Sequence, residues 1–166
     1  MPDKMPTGLR IGSIVVALGG LVPFLVSTVM FVAYVKSEAN PAQPWLSGQF
    51  PPGPGAAPFT LASIRAFNAV VATAFVTAQH IELVNVMNSG VLVVVLAWFG
   101  LRRSQKWAWY ALLFTALWPG LNDAAAMVAA HNPPAAFVGE IMTLIGLFAS
   151  RSAVFSNQAV AKPVLT

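Results

Sequence analysis

The apolar positions of this chain fall in long unbroken runs, without the alternation of polar and apolar faces that marks a soluble domain. Residues 11–35 (IGSIVVALGGLVPFLVSTVMFVAYV) carry no charge. About 20 apolar residues cross a bilayer core, so this run predicts a first transmembrane helix. A cleaved signal peptide is the alternative, because Ser37-Glu38-Ala39 ends in a small-x-small pattern. The run is longer than the usual apolar region of a signal peptide, about 7–15 residues. Ser13, Ala17, Gly20 and Ser27 fall near one face and form a small-residue stripe suited to close helix packing. Pro23 predicts a bend that a helix bundle tolerates.

Residues 36–58 (KSEANPAQPWLSGQFPPGPGAAP) hold six of the thirteen prolines. That composition excludes a regular helix and predicts an external loop, with Trp45 and Phe50 as interface anchors. Residues 59–79 are apolar but interrupted by Arg65 and Asn68. Joined to 80–101 they would make a helix of about 65 Å, twice the hydrocarbon thickness. They are therefore expected as an amphipathic helix at the interface or as a separate crossing.

Charge placement decides between these. Four crossings, at 11–35, 80–101, 107–130 and 134–152, put Lys4, Arg10, Arg102, Arg103, Lys106, Arg151 and Lys162 on one side. Those are seven of nine basic residues, and the positive-inside rule then makes both termini cytoplasmic. The expected architecture is an all-α, four-helix membrane bundle over residues 1–166, with an interfacial helix at 59–79 and a proline-rich external loop. Trp107, Trp109 and Tyr110 form an aromatic belt at the basic end of the third crossing. Pro119 removes the hydrogen bond to the Thr115 carbonyl, so a kink is expected there. His131-Asn132-Pro133-Pro134 predicts a tight external turn, and Gly139, Thr143, Gly146 and Ser150 a packing stripe on the fourth crossing.

Composition agrees with this class. The chain is 57% hydrophobic and 8% charged, against about 25% charged in soluble domains. Its net charge of +4 is spread in small clusters and makes no nucleic-acid face. There are no cysteines, which excludes disulfides and thiolate chemistry.

The candidate chemistry lies in residues 79–103 (QHIELVNVMNSGVLVVVLAWFGLRR) and at similar depth on the later crossings. Glu82, Asn85 and Ser89 share one helix face at i, i+3 and i+7. Counting 1.5 Å per residue, Glu82, Asp123 and Glu140 from three helices reach the same outer leaflet. His80, Asn85, Asn88, Asn122 and His131 sit at that depth or just above it. Ionisable groups inside a membrane point to a functional site. Three carboxylates together repel, so a proton or a cation must relieve them, and Arg65 is the expected internal partner. The alternative is that these groups only tie the helices together. The candidate ligand-binding set is His80, Glu82, Asn85, Asn122, Asp123, Glu140 and Arg65, with Glu82, Asp123 and Glu140 as candidate catalytic groups. No HExxH or comparable metal-ligand spacing is present, and no GxSxG or phosphate loop. No cofactor is indicated.

Ala97-Trp98-Phe99-Gly100-Leu101-Arg102-Arg103 followed by Lys106-Trp107-Ala108-Trp109-Tyr110 resembles the FGLRR…WAW junction of small bacterial four-helix membrane proteins, including DoxX-like ones. The resemblance covers about fifteen residues, implies the four-helix topology and brings no catalytic residue. His80 and Glu82 also resemble the pair used in the EXPERA-type sterol isomerase fold. Their spacing puts them about 200° apart on a helix, so no catalytic role transfers. The expected function is an accessory or binding subunit of a bacterial inner-membrane complex, or a binder of a hydrophobic small molecule. The expected partners are membrane lipids, other membrane subunits or that small molecule, with no nucleic acid. The alternative is a small membrane enzyme doing acid–base chemistry on a lipid or isoprenoid.

Overall fold

The computed structural model describes residues 5–42, 60–130 and 136–156. It is all-helical, with no strand among the described residues: α1 Thr7–Ala39, α2 Leu61–Phe67, α3 Ala69–Val95, α4 Lys106–Ala130 and α5 Ala136–Ser156. Helix α3 runs on through a π turn at Leu96–Gly100 and a 3₁₀ turn at Leu101–Arg103. Three helices are long and apolar enough to span a membrane: Thr7–Ala39, Ala69–Arg103 and Phe137–Ser156. This is an integral membrane protein. Helix α4, which carries Pro119, Asn122 and Asp123, is not among those three.

Several boundaries differ from those the sequence suggests. The first helix, Thr7–Ala39, extends past the apolar run at both ends and takes in Lys36–Ala39 before Asn40 and Pro41 end it. A boundary expected between 79 and 80 does not exist. The break falls at Asn68, whose Oδ1 accepts hydrogen bonds from the N–H groups of Val70 and Val71 and caps α3. Between Asn68 and Gly90 there is neither proline nor glycine, so 69–79 and 80–95 form one rod. Only the seven residues of α2 form a separate element, opened by the reciprocal Thr60–Ser63 capping box. The proline-rich stretch 43–59 and the 131–135 turn lie outside the described residues, as does His131. Pro41 and Ala62 are in contact, with the Ala62 N–H donating to the Pro41 carbonyl at 2.9 Å.

Helix α1 is the centre of the fold, packed antiparallel against α3 on one side and α5 on the other. The contacts are backbone to backbone. A Cβ built on Gly12 would lie 2.5 Å from the Gly146 carbonyl oxygen, and one on Gly20 would lie 2.5 Å from that of Gly90. Gly19 likewise meets Gly139 and Thr143. Of the expected stripe on α1, Gly20 faces α3, whereas the close approach to α5 is made by Gly12 and Gly19, which lie outside that stripe. The α5 stripe of Gly139, Thr143, Gly146 and Ser150 is the surface that α1 uses.

Two apolar clusters close the ends. Leu9, Val16, Leu101, Leu112, Leu147 and Val154 pack at the basic end, which brings the start of α1, the 101–105 turn and the end of α5 together. Tyr34, Leu61, Ala72 and Leu83 pack at the other end, under α2. The turn after α3 closes with Ser104 at φ 55°, its N–H bonded to Leu101 and that of Gln105 to Gly100. That is a Schellman termination with serine in the left-handed position that glycine usually takes.

Replacement of Gly12 or Gly146 by valine is expected to force α1 and α5 apart and to cost about 1–3 kcal/mol. Thermal unfolding in detergent tests this, and a valine variant as stable as the parent would refute the backbone contact.

Candidate functional site

Between the two end clusters, the middles of four helices surround a cleft of about 720 Å³. Helix α1 contributes Gly19, Gly20 and Pro23, and α3 contributes Glu82, Asn85, Ser89 and Gly90. Thr115, Pro119 and Asp123 come from α4, and Gly139, Glu140 and Thr143 from α5. The cleft exists because α3 and α4 barely touch, whereas α1 is held tightly to α3 and α5. The three carboxylates that share a depth in the sequence thus share a cavity wall. Glu82, Asn85 and Ser89 are exposed on that wall, while Asp123 and Glu140 are half-buried.

Glu140 lies against Gly120, where an added Cβ would come within 3.2 Å of its Oε2. Its charge is close enough to interact with that of Asp123. Glu140 Oε2 is buried and has no hydrogen-bond donor among the described residues. Among the described residues, no Lys, Arg or His lines the cleft.

Proline shapes two of its walls. Pro23 and Pro119 have no N–H to offer the carbonyls of Gly19 and Thr115, four residues earlier. All four residues line the cleft. The Thr115 and Thr143 hydroxyls donate within their own helices, to Leu112 and Gly139 at 3.0 and 2.9 Å. With these donors engaged, the polar wall is dominated by acceptors.

Glu82 is oriented by a hydrogen-bonded chain that no local pattern announces. Buried Tyr34 donates its hydroxyl to Gln79 Oε1 at 3.2 Å, and Gln79 Nε2 donates to Glu82 Oε2 at 3.3 Å. The i, i+3 spacing of Gln79 and Glu82 puts that pair within reach on one helix. Tyr34 is 45 residues from Gln79, and no local signal links them. His80 turns away from the cleft, as its 200° offset from Glu82 requires. Its Nε2 lies 2.7 Å from Glu38 Oε1 at the end of α1, and its ring lies 5.2 Å from that of Phe31. Glu38 was legible in the sequence only as part of a small-x-small pattern.

Arg65 does not serve as the carboxylates' partner. It is exposed on α2, does not line the cleft and makes no ion pair among the described residues. The reason is that α2 stops at Phe67 and covers Tyr34 and Leu83 at the far end of the bundle, away from the cleft mouth. Asn88 also lies outside the cleft wall. The side chain of Asn122 lies outside the described residues. Comparison with family models, curated proteins and solved structures gives no match.

Tyr34→Phe is expected to leave Gln79 Oε1 buried without its donor, at a cost of about 1–3 kcal/mol. Equilibrium unfolding in mixed micelles measures it, and an unchanged stability would show that the chain does not hold Glu82 in place.

Proposed function

We propose that this protein holds a hydrophobic small molecule in the cleft, with the apolar body between the helices and a cationic or hydrogen-bond-donating head against the carboxylates. The observation that carries this reading is a cavity walled by Glu82, Asp123 and Glu140, with no basic side chain lining it among the described residues. Three carboxylates facing one space in low dielectric repel one another, so a ligand that supplies protons or positive charge is favoured there. The apolar remainder of the wall, with Val86, Val93, Trp118 and Leu121, suits a hydrocarbon or ring body.

We place the molecule in a bacterial inner membrane as four crossings, including α4, with the basic end and both termini on the cytoplasmic side. Counted from Lys106 and Ser156 at 1.5 Å per residue, Asp123 and Glu140 stand about 25 Å from the basic end. The cleft then opens in the outer half of a core about 30 Å thick. A role as the binding subunit of a larger membrane complex fits the same geometry. A second reading, acid–base catalysis on a lipid or isoprenoid, is favoured by one observation: Glu140 Oε2, without a donor among the described residues, stands near Asp123, a like-charged group able to exchange a proton.

Native mass spectrometry of the gently solubilised protein is expected to find a co-purifying small molecule in near-stoichiometric amount. Glu140→Gln and Asp123→Asn should each weaken its retention by roughly 10- to 100-fold, the worth of a charged hydrogen bond, with melting unchanged. Retention unchanged alongside a large loss of stability would make the cluster a structural tie between helices. For the topology, a reporter fused after Thr166 should read as cytoplasmic, and an external signal would overturn the four-crossing reading.

A further inference from the structure

A second concavity lies at the basic end of the bundle, between α4 and α5, with a volume of about 590 Å³. Its walls are aromatic and aliphatic: Trp109 and Tyr110 from α4, Leu147, Phe148 and Phe155 from α5. The aromatic rings are fixed. Trp109 Nε1 donates to the Leu147 carbonyl at 3.0 Å, and its ring stands edge-on to Phe155 at 5.3 Å. Tyr110 stands edge-on to the same phenyl ring at 5.9 Å. Phe148 and Tyr110 keep more than half of their surface exposed, at 78% and 57%, so the groove is open on its outer side.

Positive charge gathers at one end of this groove. Arg151 lines it, and Lys106 Nζ lies 5.5 Å from the Phe155 ring centroid. Among the described residues, no acidic side chain lines it. Arg102 and Arg103 lie near the same end of the bundle but over rings that do not line the groove, Arg102 4.0 Å over Trp98 and Arg103 6.0 Å from Phe99.

The geometry points to a binding site for one anionic phospholipid, with an acyl chain along the aromatic groove and the phosphate between Arg151 and Lys106. Charge complementarity selects this occupant. A zwitterionic lipid would fill the apolar groove equally well but would bring its own cation to a basic site. A second protein helix would need acidic residues to match. Basic pockets between membrane helices hold acidic head groups for the same reason. The aromatic pair Trp109 and Tyr110 marks the head-group level, where such rings settle. The site is separate from the carboxylate cleft and does not depend on what that cleft holds.

The test uses full-length protein in mild detergent, mixed with equal amounts of phosphatidylglycerol and phosphatidylcholine of identical acyl chains. Native mass spectrometry should show one phosphatidylglycerol retained in preference to phosphatidylcholine. Arg151→Gln with Lys106→Gln should lower that preference by roughly fivefold for each charge removed. Arg102→Gln with Arg103→Gln should leave it in place. Equal retention of both lipids by the parent protein would overturn the site. So would an equal loss in the Arg102/Arg103 variant, which would reduce the effect to diffuse attraction at a basic surface. Arg151 is exposed, so its single replacement carries the same test should the double variant fail to fold.

Discussion

The close approach of α1 to two neighbours at once is the constraint on which the rest of the structure depends. Within a bilayer, apolar side chains gain nothing from leaving lipid, so helix association relies on backbone proximity and dispersion. Gly12 and Gly19 provide that proximity toward α5, and Gly20 provides it toward Gly90 of α3. Adjacent glycines at 19 and 20 lie 100° apart on a helix, so one short stretch can serve two partners. Helix α4 has no comparable grip on α3. It is held by α5 and by the turn after α3, and the space left between α3 and α4 becomes the cleft.

The cleft concentrates features that are costly in a membrane. It has three carboxylates from three helices and two prolines that each remove a helix hydrogen bond. At the basic end, by contrast, the apolar cluster is leucine, valine and alanine, the buried Ser13 and Ser150 hydroxyls bond within their own helices, and the cations stay at the periphery against aromatic rings. Polar groups are thus segregated along the bundle. One end is an anchored, aromatic and basic boundary. The middle is an acidic cavity reached from the side of α3.

Tyr34, Gln79 and Glu82 connect that cavity to the cluster under α2. Tyr34 belongs both to the apolar cluster and to the hydrogen-bonded chain, so packing at the far end of the bundle fixes the orientation of a carboxylate in the cleft. The Glu38–His80 contact joins the same two helices one turn further out. A buried polar chain of this kind holds one arrangement of side chains because each lost partner leaves a group unsatisfied.

The sequence by itself determined the membrane class, the existence of the long apolar helices and the depth of Glu82, Asp123 and Glu140. Each follows from local composition and from a fixed rise per residue. The shared face of Glu82, Asn85 and Ser89 was legible for the same reason. What only the tertiary structure decided was the partition of contacts. Arg65 looked like the natural counter-charge, yet a seven-residue α2 carries it to the wrong end. The helix boundary near 80 looked necessary on length, yet the break falls at Asn68, which caps α3. Tyr34 and Glu38 had no visible role until α1 and α3 were set side by side. Depth along a helix is written in residue number, but which helices stand next to one another depends on where glycine lets two backbones meet.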